Sequence, residues 1–224
     1  MTIDEKLQHF MDVTTEKVNA ENAKQMQEYE QGLEKVYEDY KETALRKSEL
    51  ALKLKEESLK KQMNADLAAE QLSLKDTEPL ECMGDIEIKG NPVAYGIGKT
   101  GDLPEKMTVK ALAEKVKQAF ELPFVLVYGE ELMDMEVEKV ALCPGAGGSV
   151  IEEAIHTGAK ALVTGDISHH QGIDAAARKM AVIDAGHYGM EHIFIQFMAG
   201  YLKENLPSGV EIITAAPAWP TVLL

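Results

Sequence analysis

"KALVTGDISHHQGIDAAARKMAVIDAGHYGMEH", residues 160–192, decides the fold. KALVTGD reads as a buried strand, HHQGIDAAARKM as a helix and MAVIDAG as a second strand, with another helix to follow. Strand and helix alternate, and the strands are apolar on both faces. That pattern belongs to an α/β layer with a largely parallel sheet. In such sheets functional residues gather where strands end and helices begin. If a helix starts after IDAG, His187 and Glu191 sit one turn apart on one face. An imidazole and a carboxylate so placed can grip a metal ion.

Working outward, the same alternation continues. VEKVALC reads as a strand, SVIEEAIHTG as a helix stopped by Gly158, and PFVLVYG as a strand. TVKALAEKVKQAF is an amphipathic helix with Thr108 as its N-cap. DIEIKG and VAYGIGKTG suggest a hairpin or two short strands. YGMEHIFIQFMAGYLKEN reads as one long helix, and VEIITAA as a closing strand.

Three strand-to-helix junctions are therefore expected on one sheet edge: Pro144 to Ser149, Gly165 to His170, and Ala185 to Glu191. The first, PGAGGS, is either a plain tight turn or a nest of backbone N–H groups for an anion. Asp166, His169 and His170 fit a solvated helix start as well as a site.

The N-terminal third differs. Up to Glu78 there is no proline, and Gly32 is the only glycine. Met26, Tyr29, Leu33, Val36, Tyr40 and Ala44 recur in steps of three and four, the seam of a long amphipathic helix or coiled coil. Unbroken to about Ser73, it would be roughly 105 Å long. A helix that long needs a partner for its seam. The division expected is residues 1–73 as the helix and 74–224 as the α/β domain.

The net charge of −15 argues against nucleic acid and anionic membrane as partners. No apolar run reaches the ~20 residues of a membrane span, and the acidic, polar start is unlike a signal peptide, so a cytoplasmic address is expected. Cys82 and Cys143 lack CxxC spacing and are expected reduced and buried.

Two stretches carry resemblances. Residues 1–62 resemble the N-terminal helix of the peripheral-stalk E subunit of V/A-type ATPases, which implies a helical partner and a structural role. From about Met63 onward, "LKDTEPLE", "GNPVAYGIGKTGDLPEKMTVKALAEKVK", "VALCPGAGGSVIEEAIHTGAKALVTGDISHH" and "IDAGHYGMEHIF" resemble the C-terminal part of the Nif-three-like dinuclear metal proteins, the GTP cyclohydrolase 1 type 2 homologs. That resemblance implies an α/β fold, hexameric rings, two adjacent divalent ions (zinc, manganese or iron) and metal-dependent hydrolysis. By motif it makes His187 and Glu191 metal ligands. It places Asp166 and His170 in the same pocket, with His170 able to shuttle a proton or orient substrate. The family's other ligands, a His-His-Pro motif and an Asp, have no counterpart here, since this sequence contains no His-His-Pro. An incomplete site with weak metal binding and little catalysis is expected. The unpaired seam and the missing half predict a homodimer or larger species.

Overall fold

The structure is a computed structural model and describes residues 2–88, 91–207 and 209–219. Helix α1 runs from Ile3 to Gln71 without a break, as its proline-free sequence predicts. The chain divides into two compact units, residues 1–55 and 56–224. The boundary lies inside α1, eighteen residues before the expected one at 73/74, because the end of the helix is core. Ala65, Ala68 and Leu72 are fully buried there.

That end is pinned by specific bonds. Leu74 N–H donates to the Ala69 carbonyl and Ser73 N–H to that of Glu70, with Ser73 at φ 57°. This is the Schellman stop, built here without the usual glycine. Lys115 Nζ adds a bond to the Leu72 carbonyl at 2.9 Å. In the first unit the seam residues Met26, Tyr29, Leu33, Val36 and Tyr40 are all exposed.

The second unit is built on a six-stranded sheet of order β1-β2-β4-β5-β6-β3. Its strands are β1 (Lys75–Ile88), β2 (Asn91–Thr108), β3 (Leu126–Tyr128), β4 (Glu136–Ala146), β5 (Ala161–Gly165) and β6 (Ala181–Asp184). The pairs β4–β5 and β5–β6 are parallel; β1–β2, β2–β4 and β3–β6 are antiparallel. The sheet is thus mixed, with its parallel part confined to the centre. β1 and β2 form the expected hairpin, with Lys89 and Gly90 outside the described residues.

The helices are α2 (Val109–Ala119), α3 (Ile151–His156), α4 (His169–Ala177), α5 (His187–Glu191) and α6 (Ile193–Asn205). Thr108 caps α2 as expected, accepting from Ala111 N–H at 3.2 Å. Central strands alternate strictly between two cores. Val140, Leu142, Val163 and Ile183 join the end of α1 and α2, while Ala141, Cys143, Leu162 and Val182 join α3 and α4. Placing α3 and α4 on one face follows from two like-handed crossovers stepping the same way across the sheet.

Three local expectations are corrected. The long helix after β6 breaks at His192, whose Nδ1 bonds the Gly189 carbonyl at 3.0 Å. Local side-chain bonding of this kind competes with the helix ladder. Val210–Ala216 forms no strand: Ile213 is 83% exposed, and no sheet edge pairs with the segment. Cys143 is buried, but Cys82 is exposed, lying on the edge strand β1 where the pairing register shifts between Cys82 and Gly84. No helix among the described residues is long and apolar enough to cross a membrane.

Candidate functional site

Because β4, β5 and β6 run parallel, their ends meet at one edge. Ala146 pairs with Gly165, and Thr164 with Asp184. The three junctions read from the sequence are therefore neighbours. Gly165 allows a close approach: a Cβ there would lie 2.4 Å from the His187 backbone nitrogen. Asp184, the last residue of β6, ties two junctions together. Its Oδ2 accepts from Ile167 N–H at 3.0 Å and its Oδ1 from Gly186 N–H at 2.9 Å.

His187 opens α5 and stands between two carboxylates. Its Nδ1 is 3.0 Å from Asp166 Oδ2, and its Nε2 is 3.4 Å from Glu191 Oε2. Asp166 reaches the ring from a left-handed backbone, φ 52°, which aspartate tolerates better than most residues. Glu191 is fixed in turn by Asn64, whose Nδ2 donates to Oε1 at 3.3 Å. Gly145, at φ 83°, faces this pair; a Cβ there would stand 3.2 Å from Glu191 Oε1 and 3.3 Å from His187 Nε2. A side chain would fill the space beside both donors.

This geometry suits a metal pair. Two tetrahedral ligands bound at about 2.0–2.1 Å stand about 3.3 Å apart, close to the observed spacing. With Nδ1–H donated to Asp166, Nε2 turns its lone pair toward Glu191, and a shared cation reconciles two facing acceptors. Among the described residues no group of three or more His, Cys, Asp or Glu is placed to hold an ion. Asp166 lies on the far nitrogen of the ring, so the fit is to an ion with two protein ligands.

His170 follows Asp166 in the same junction, Gly165 to His170. It is exposed on the first turn of α4, its ring edge-on to that of His169 at 5.9 Å. Among the described residues no hydrogen bond or ion pair links it to His187; the residue from its stretch that does so is Asp166.

His187 borders two clefts. A small one of about 150 Å³ contains His187, Glu191, Gly145, Cys143 and Lys61. Burial, chiefly, pushes the Cys143 thiol up to about 11. The other, about 430 Å³, is mostly apolar and is bordered by Leu122, Phe124, Asp166, His187 and Trp219. Sequence reasoning missed Asn64, Asp184 and Trp219. An aspartate closing an apolar strand was a signal for Asp184; nothing in the N-terminal helix marked Asn64.

The sequence pattern of Duf34/NIF3 (NGG1p interacting factor 3) matches residues 10–218. The chain is 36% identical over 118 residues to a GTP cyclohydrolase 1 type 2 homolog of Listeria monocytogenes, covering 53% of this chain and 30% of that protein. A homolog of the same name from Clostridium acetobutylicum is 38% identical over 111 residues, 50% of this chain and 41% of that one. The chain thus spans well under half the length of these two relatives. A crystal structure of a Bacillus cereus protein related to NIF3 superposes with a TM-score of 0.56 at 22% identity, over 63% of each chain, so the α/β fold is shared. These comparisons lend no support to the ATPase-stalk resemblance of residues 1–62. With the pattern running from inside α1 to beyond α6, the chain belongs to the Duf34/NIF3 family.

Proposed function

We propose that this chain binds one divalent metal ion on His187 and Glu191 and belongs functionally among metal-dependent hydrolases, with weak turnover. The observation that carries the reading is the 3.4 Å spacing of Nε2 and Oε2, with the other imidazole nitrogen held by Asp166. A bound zinc, manganese or iron would supply a Lewis acid at this edge of the sheet. The protein's own part is to orient the donors. Asp166 selects the tautomer that bares Nε2, Asn64 holds one oxygen of Glu191, and Gly145 leaves the space open. His170, exposed on α4, is the proposed proton carrier to and from solvent.

Two protein ligands hold an ion less firmly than the three or four of ordinary zinc sites, because solvent fills the remaining positions. Calorimetric titration with zinc tests the reading. Wild type should bind weakly, and His187→Ala and Glu191→Ala hardly at all. Equal binding by all three would place the metal elsewhere. The proposal includes a cytoplasmic setting and self-association through the exposed seam of α1, either with a second copy or with another helix.

A further inference from the structure

The cleft of about 430 Å³ lies within the size range of small-molecule sites. Its walls are apolar and partly aromatic, with Leu122, Phe124 and Leu126 on the segment leading into and through β3 and Trp219 on the C-terminal segment. Trp219 is held by edge-on ring contacts to His192 at 5.3 Å and Tyr188 at 5.7 Å.

Two carboxylates border this cleft, and they differ. Both oxygens of Asp184 are occupied by backbone N–H groups. Asp166 gives Oδ2 to His187, and Oδ1 accepts no hydrogen bond among the described residues. The cleft therefore offers aromatic walls and one uncommitted carboxylate oxygen. We infer that it binds a planar heteroaromatic molecule with an N–H donor directed at Asp166. A fatty chain would cover this carboxylate without giving it a donor, which is unfavourable. An aromatic acid would meet two negative charges.

This deepens the function proposed above by naming a ligand class for the same site, and it rests on the His187–Asp166 side of the ring. The test is separated from metal by working in EDTA. Trp219 is the single tryptophan of the chain, so its fluorescence reports on the cleft directly. The full chain is titrated with 2-aminobenzimidazole, 2-naphthoate and decanoate, with calorimetry in parallel. The expected result is saturable binding of 2-aminobenzimidazole at about 0.1–1 mM, reasonable for so small a ligand. The other two should bind at least about tenfold more weakly.

Asp166→Asn should weaken the favoured probe about tenfold or more, the loss of a charge-assisted bond. Circular dichroism should show that this exposed substitution leaves the fold unchanged. Phe124→Ala should weaken it severalfold. Glu191→Ala, which removes the metal pair, should leave probe binding intact, so loss of metal binding and loss of ring binding are read separately. Absence of saturable binding by both methods would overturn the inference. So would equal binding of the three probes, or indifference to Asp166→Asn.

Discussion

Leu72→Ala tests whether the end of the long helix belongs to the α/β unit. Leu72 is fully buried, in one cluster with Val109, Leu112, Val116 and Phe120 of the α2 region and Val140 and Leu142 of β4. The substitution removes three carbons, worth about 2.4 kcal/mol at ~0.8 per methylene, before any cavity is counted. Rigid surroundings add a cavity term, and buried Leu→Ala changes cost about 2–5 kcal/mol altogether. About 3 kcal/mol is expected here, since the site is closed on several sides. At a urea slope of about 1–3 kcal/mol per molar, the midpoint should fall by at least about 1 M. Leu52→Ala on the same helix, outside the seam residues, is the internal control. Leu52 is 67% exposed, so its loss should change stability by no more than about 0.5 kcal/mol. Both are read by urea denaturation of the full chain, followed by near-ultraviolet circular dichroism. If Leu72→Ala unfolds at the wild-type midpoint, the last turns of α1 are not core and the boundary within the helix is wrong.

Other perturbations probe the site and the surface. Gly165→Ala drives a methyl against the backbone at His187, so stability should fall by about 1–3 kcal/mol and zinc affinity with it; unchanged thermal melting would contradict the close approach. Asp166→Ala should lower zinc affinity about 10–100-fold by freeing the imidazole, and calorimetry showing no loss would remove Asp166 as its support. Cys143 rises from an ordinary 9.0 to about 11 on folding, so its contribution is intact below pH 9 and lost as pH climbs through 11. That difference costs about 2 kcal/mol by pH 10.5. Urea melts at pH 8 and 10.5 should show a steeper decline in wild type than in Cys143→Ala. At neutral pH iodoacetamide should label Cys82 and spare Cys143, as peptide mass mapping can verify. Sedimentation at micromolar concentration should give a dimer or larger species that Leu33→Glu disrupts; a monomeric wild type would refute association through the seam.

What the sequence determined by itself was local or repeated. The proline-free run with its three-and-four spacing specified one unbroken helix, and Thr108 marked a cap that the structure contains. Alternating apolar runs and helices in residues 137–192 were enough to place three junctions on one edge. The four-residue spacing of His187 and Glu191 required only one helical turn to bring the two side chains together. Each of these depends on backbone geometry over a few residues.

Tertiary structure decided whatever depended on a partner far along the chain. Asn64 meets Glu191 across 127 residues, and no periodicity in α1 could mark that contact. β2 and β3 run antiparallel to their neighbours because pairing is set by where connections return, which apolar composition does not encode. VEIITAA has strand-like residues but pairs with neither edge strand, β1 or β3, and propensity without hydrogen-bond partners makes no strand. His170 and Asp166 stand four residues apart in one motif, yet of the two only Asp166 bonds His187 among the described residues. Side-chain direction at a strand-to-helix turn is set by backbone torsions and packing, and those exist only once the sheet has formed.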